Sequence, residues 1–258
     1  MLKERIRGTG ELLAGYRRAG ESLSGHQVPQ GTGQLRCPCC GGWEFSQPPV
    51  LWPKLIEEWQ LTEEEVRYID RQQGMRCMRC RMTLRSLALA HAITTLYGPP
   101  RLFPFFMVRH PLLRVLEVNA AGNLHHALRF LPRTVSTNYP EVDMMELPFR
   151  DASFDLVVHS DTLEHVPDPV RGLRECFRVL KPRRWVCFTI PVVVGRLTRS
   201  RTGKPPSFHG SPPNGTPDCL VQTEYGADMW THLMEAGARE CRIISLEYPA
   251  ALAIAGRK

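Results

Sequence analysis

The stretch from Phe154 to Pro191 restricts the fold of this chain more than any other. Phe154-Asp155-Leu156-Val157-Val158-His159 is a nearly continuous apolar run, as expected of a strand covered on both faces. Asp168-Pro169 then supplies an N-cap and a proline at the first helical position. Val170, Leu173, Phe177 and Leu180 fall on one helical face. Trp185 to Ile190 forms a second apolar run, ended by Pro191. A strand, a helix and another buried strand in this order predict a parallel pair joined by a crossover helix.

The flanking sequence extends the alternation. Leu112 to Val118 reads as a strand, Leu124 to Leu131 as a helix and Thr134 to Thr137 as a strand. Residues 192–222 read as a long loop, with prolines throughout and a basic front half (Arg196, Arg199, Arg201, Lys204). A helix near Ala227 to Ala236 and two strands, Cys241 to Tyr248 and Ala251 to Gly256, close the chain. Upstream, Thr62-Glu63-Glu64-Glu65 is a capping-box start for a helix ended by Gly74. A helix from about 83 to 97 stops at Gly98-Pro99-Pro100. Residues 1–20 could form a glycine-weakened amphipathic helix, and 20–36 read as a linker.

Five of nine cysteines cluster at 37, 39, 40, 77 and 80. Cys37, Cys40, Cys77 and Cys80 form two C-x2-C pairs, whose spacing turns paired sulfurs toward one tetrahedral centre. Four thiolates would close the shell around a structural zinc. Gly41 and Gly42 suit a tight knuckle turn. Cys39 is either an alternative ligand or a bystander. Without an export signal, disulfides are the weaker reading.

The segment Leu147-Pro148-Phe149 to Val158, then Leu163-Glu164-His165 to Asp168-Pro169 and Arg178-Val179-Leu180-Lys181-Pro182, resembles the class I S-adenosylmethionine-dependent methyltransferases over roughly 112–258. Some members also carry an N-terminal double C-x-x-C module. The resemblance implies a Rossmann-like α/β sandwich with a mostly parallel sheet and an antiparallel closing hairpin, preceded by a small zinc-binding module. It divides the chain into 1–36, a zinc-ribbon-like module with connecting helix over 37–110, and a methyltransferase-like domain over 111–258. The implied cofactor is S-adenosylmethionine. The residues placed against it are Glu117, Asn119, Ala121, Asn138, Asp143, Met144 and His159. The chain departs from the family where a glycine-rich loop is expected, since Asn119, Ala121 and Asn123 occupy the glycine positions. An amide, Asn138, stands where a carboxylate usually meets the ribose. Catalytic candidates are His159, His165 and His209, with oxygen or nitrogen as the acceptor atom.

Lysine and arginine total 33 against 26 acidic residues, a net charge of +7. Arginines 67, 71, 76, 79, 81 and 85 surround the second cysteine pair. Such a cluster could bind nucleic acid or simply be a solvated face. The alternatives to methyl transfer are therefore a scaffold with a degraded cofactor loop, or a nucleic-acid-binding protein. The acceptor stays open among small molecule, sugar, RNA and protein. No apolar stretch is long enough to span a membrane, so the expected location is cytoplasmic.

Overall fold

The computed structural model describes residues 35–99, 102–208 and 217–258. The helix expected over 1–20 and most of the linker lie outside these residues, as does His209. The chain begins with β1 (Phe45–Ser46), α1 (Pro53–Glu58), α2 (Glu63–Gly74), β2 (Arg76–Cys77) and α3 (Leu84–Tyr97). Next come α4 (Phe103–Arg109), β3 (Val115–Val118), α5 (His125–Leu128), β4 (Thr134–Thr137), β5 (Phe154–Ser160), α6 (Pro169–Val179) and β6 (Leu180–Thr189). The remainder is β7 (Val192–Val193), β8 (Arg199–Ser200), β9 (Thr223–Gly226), α7 (Thr231–Glu235), β10 (Glu240–Leu246) and β11 (Ala251–Arg257).

Six strands form the central sheet in the order β10-β11-β6-β5-β3-β4. The four strands from β4 to β6 run parallel, and β11 and β10 close the sheet antiparallel. Every residue of β5 is buried, in line with its apolar sequence. Successive side chains on these strands serve opposite faces. Leu156, Val158, Cys187, Ala253 and Ala255 meet the apolar helix α3 on one face. Val157, Val186, Phe188 and Ile254 meet α6 and α7 on the other. Asp168 caps α6 by accepting from the Arg171 amide at 2.9 Å.

The structure corrects several local expectations. The first strand begins at Val115 rather than Leu112, whose side chain is exposed. The helix expected over 124–131 shrinks to a 3-10 turn at Gly122–Leu124 and the single turn α5. The last helix is only Thr231–Glu235. The supposed loop over 192–222 contributes β7 and β8, which pair with β9 in a small three-stranded sheet. Glu224 anchors this sheet through ion pairs with Arg199 and Arg201. Two of the four basic residues at the front of that segment thus share one buried carboxylate.

Arg196 binds the small sheet to the N-terminal part. Its guanidinium donates to both Glu65 oxygens (2.9 and 2.7 Å) and to the Trp59 and Gln60 carbonyls (both 2.8 Å). Glu65 also completes the capping box of α2: it accepts from the Thr62 amide at 2.8 Å, and Thr62 Oγ1 accepts from the Glu65 amide.

Candidate functional site: a four-thiol cluster and a cavity at the strand ends

Two knuckles bring four thiols together. In the first, the Gly41 amide donates to the Cys37 carbonyl and Gly41 adopts a left-handed φ of 73°. In the second, the Arg81 amide donates to the Cys77 carbonyl at 2.8 Å, and Arg81 takes the equivalent position with φ 64°. The Cys37 and Cys80 sulfurs lie 3.5 Å apart, those of Cys40 and Cys77 3.6 Å, and all four within 4.8 Å. A tetrahedral zinc with sulfurs at about 2.3 Å requires sulfur–sulfur edges of about 3.8 Å, so the thiols fit such an ion. Cys39 is buried but outside this group. As a bare thiol Cys37 is pushed up to about 12, first by the Cys39 side chain and then by Cys77 and burial.

The sheet opens on a cavity of about 690 Å³ at the carboxyl ends of its parallel strands. Asn119 follows β3, Tyr139 follows β4, Asp161 and Thr162 follow β5, and Pro191 follows β6; all line it. Ligands of open α/β sheets bind at this end. The opposite wall comes from the N-terminal part, with Leu51, Trp52, Leu55, Trp59, Leu61 and Ile69. The volume lies within the range of small-molecule sites.

Among the sequence candidates, Asn119, Asp143, Met144 and His165 reach this cavity. Asn119 has φ 56°, accepts from the Tyr139 amide at 2.8 Å and faces Thr162 Oγ1 at 3.4 Å. Its amide side chain thus supports a left-handed turn at a position where the family has glycine. Asp143 accepts from the Met145 amide at 2.7 Å. Gly122 also has positive φ (54°), and a Cβ there would stand 3.0 Å from Ser86 Oγ at the start of α3.

Glu117, Ala121, Asn138 and His159 do not line the cavity. Glu117 is fully buried and accepts from the Ala121 amide (2.9 Å), the Ser136 hydroxyl (2.6 Å) and His125 Nδ1 (2.7 Å). Its carboxylate shapes the loop from within. Asn138 is exposed. His159 is fully buried and stacks on Phe188 with centroids 4.4 Å apart; burial pushes its pKa down to about 3. This packing places the His159 ring inside the sheet rather than on the cavity wall.

Two charged groups that sequence reasoning had not placed in the site also line the cavity. Arg85 lines it from α3, is paired with Asp161, and donates to Gln73 Oε1 at 2.5 Å. Burial lowers its pKa to about 10. Glu164 is 2% exposed, and neither carboxylate oxygen has a hydrogen-bond partner. Its nearest ionic neighbour is His165 Nε2, 3.6 Å away, and burial raises its pKa. A sequence signal was available in the Leu163-Glu164-His165 triplet, one of the motifs that carry the family resemblance. The arginine cluster around the second cysteine pair is partly absorbed by protein contacts. Arg71 pairs with Glu247, Arg79 donates to the Cys40 carbonyl, and Arg85 points into the cavity.

Comparison with known proteins follows the same outline. Residues 106–188 match the methyltransferase domain family. The chain is 40% identical over 63 residues to the ubiquinone biosynthesis O-methyltransferase of Paraburkholderia phymatum, covering 24% of this chain and 27% of that protein. It is 45% identical over 53 residues to a protein of Mycolicibacterium smegmatis described as a "probable S-adenosylmethionine-dependent methyltransferase", covering 19% and 21%. The chain therefore matches between a fifth and just over a quarter of the length of these curated relatives. A solved S-adenosylmethionine-dependent methyltransferase from Aquifex aeolicus is 14% identical, with a TM-score of 0.36 over 60% of this chain and 87% of that one. Residues 106–188 are therefore similar to a methyltransferase domain, and their strands belong to a Rossmann-like, mostly parallel sheet. No helix among the described residues is long and apolar enough to cross a membrane.

Proposed function

We propose that this chain transfers a methyl group from S-adenosylmethionine to an oxygen or nitrogen acceptor bound in the same cavity. One observation carries the reading: in the segment that matches a methyltransferase domain, Asn119 just after β3 and Asp143 and Met144 in the loop after β4 line a 690 Å³ cavity shared with the N-terminal part. When bound, S-adenosylmethionine supplies an electrophilic methyl on a positively charged sulfur. The protein's own task is alignment and exclusion of water. The Asn119 turn lines the cavity, Asp143 offers a hydrogen-bond acceptor, and Met144 with Val166 offers apolar surface. Arg85 and Asp161 present opposite charges side by side on the cavity wall.

In this reading a zinc ion held by Cys37, Cys40, Cys77 and Cys80 is structural, since four thiolates leave no open position. The two knuckles set the start of α3, which carries Arg85 to the cavity. Calorimetric titration of S-adenosylhomocysteine tests the function. Micromolar binding that weakens about tenfold or more in Asp143→Ala is expected. A folded protein that ignores millimolar ligand would refute it.

A further inference from the structure

The cavity has more surface than its strand-end residues provide, and the surplus has a distinct chemistry. Its outer wall is Leu51, Trp52, Leu55, Leu61 and Ile69, an apolar and aromatic surface supplied by the N-terminal part. Trp52 is 40% exposed although it lines the cavity, so the core leaves much of its indole uncovered. Glu164 lines the same cavity, buried and without a hydrogen-bond partner on either oxygen. A buried carboxylate that accepts no hydrogen bond is costly even with His165 Nε2 3.6 Å away, and an added cation or N–H donor relieves it best.

The remaining charges restrict the occupant further. Asp143, Asp161, Glu164 and Asp218 line the cavity against one arginine, Arg85, which Asp161 already neutralises. A phosphate-bearing ligand or polymer would meet net repulsion here. An ammonium group would be attracted by Glu164, and an aromatic wall such as Trp52 adds cation–π attraction.

We infer that the acceptor is a small amine with an apolar body, its ammonium held by Glu164 and its body seated against Trp52 and Leu55. The inference rests on the methyl-transfer reading and narrows the acceptor class of the same site. It makes the N-terminal part the acceptor-selecting wall rather than a nucleic-acid reader.

The test uses the full chain saturated with S-adenosylhomocysteine and three probes of similar shape: 2-phenylethylamine, 2-phenylethanol and phenylacetate. Their dissociation constants are read by ligand-observed NMR. The amine should bind about tenfold or more tightly than phenylacetate, with the alcohol between them. Glu164→Gln should bring the amine and the acid to within about twofold of each other while melting at or above the wild-type temperature. Trp52→Leu, at a half-exposed position, should weaken the amine several-fold. Phenylacetate binding as tightly as the amine, a preference that survives Glu164→Gln, or unchanged affinity in Trp52→Leu would each overturn the inference while leaving cofactor binding intact. Displacement of the amine by a short single-stranded oligonucleotide would likewise overturn it in favour of a polymer. Failure to bind S-adenosylhomocysteine itself would remove the methyl-transfer reading, and this inference with it.

Discussion

Arg196 offers the sharpest test of how the N-terminal part is held over the cavity. Its guanidinium makes four hydrogen bonds across more than 130 residues of sequence, two of them to the Glu65 carboxylate. Arg196→Met keeps the aliphatic stem and removes all four. Hydrogen bonds to charged groups are worth about 1.5–3 kcal/mol each, but they are not additive and part of the ion pair is solvent-exposed. Glu65 also keeps the Thr62 amide as a partner, which limits the loss. Side-chain exposures of 26% for Arg196 and 11% for Glu65 argue for an intermediate burial cost. A loss of about 2–3 kcal/mol follows, or roughly 5–10 °C in Tm for a chain of this size. Differential scanning calorimetry measures it. Adding Glu65→Met should recover about 1–2 kcal/mol, because the stranded carboxylate is removed too. The sign with pH is also set. The Arg196 hydrogen bond holds the Glu65 carboxyl below its ordinary range. That contribution is present at neutral pH and disappears as the pH falls through the folded-state value, so Arg196→Met should flatten the acid limb of the stability curve. A change within about 0.5 kcal/mol, or strict additivity with Glu65→Met, would refute this account of the clamp.

Three further outcomes are expected. Metal analysis of the native protein should find one zinc per chain, lost in Cys77→Ser and kept in Cys39→Ala; equal loss in both variants would contradict the four-thiol assignment. Glu117→Ala removes the acceptor of the Ala121 amide and of the Ser136 and His125 side chains. It should cost about 3 kcal/mol in chemical denaturation and abolish S-adenosylhomocysteine binding, whereas Glu117→Gln, which still accepts one of these bonds, should retain measurable binding. Burial raises the Glu164 pKa, so the charged form works against folding and stability is lost as pH rises from the ordinary carboxyl value through the folded one. The groups facing it are Arg85 from α3, His165 beside it and the Tyr225 hydroxyl from β9. Glu164→Gln should therefore gain on the wild type as the pH rises above the ordinary carboxyl value; a difference that does not change with pH would show that the fold leaves Glu164 unperturbed.

Much of the sheet was legible because its signals are local. The Thr134 to Thr137 strand, the fully buried β5 and the Asp168 cap of α6 each follow from a few adjacent residues. The small sheet was not legible, because β7 and β8 are two residues long and carry no period. What holds them is long-range: the Glu224 ion pairs and the close packing of Gly226, where a Cβ would lie 2.2 Å from the Arg196 carbonyl. The helices α1 and α4 were hidden behind Pro53 and Pro104, which sit in their first turns rather than breaking them. For the site, the four-cysteine spacing and the position of Asp143 in the cavity were readable. The pairing of Arg85 with Asp161 was not, because it joins residues from either side of the fold. The same holds for Glu117: its position at the end of the first strand was visible, but its three internal partners were not.

Helix α3 leaves the second knuckle and lies directly on the sheet, where Leu87, Ala90 and Ile93 join Val158, Cys187 and Ala253 in one core. Shortening the chain to begin at residue 111 would therefore uncover a whole sheet face to water. The product would be an aggregating fragment rather than a lean catalytic half, and swapping cysteine modules between relatives would have to carry α3 along with the thiols.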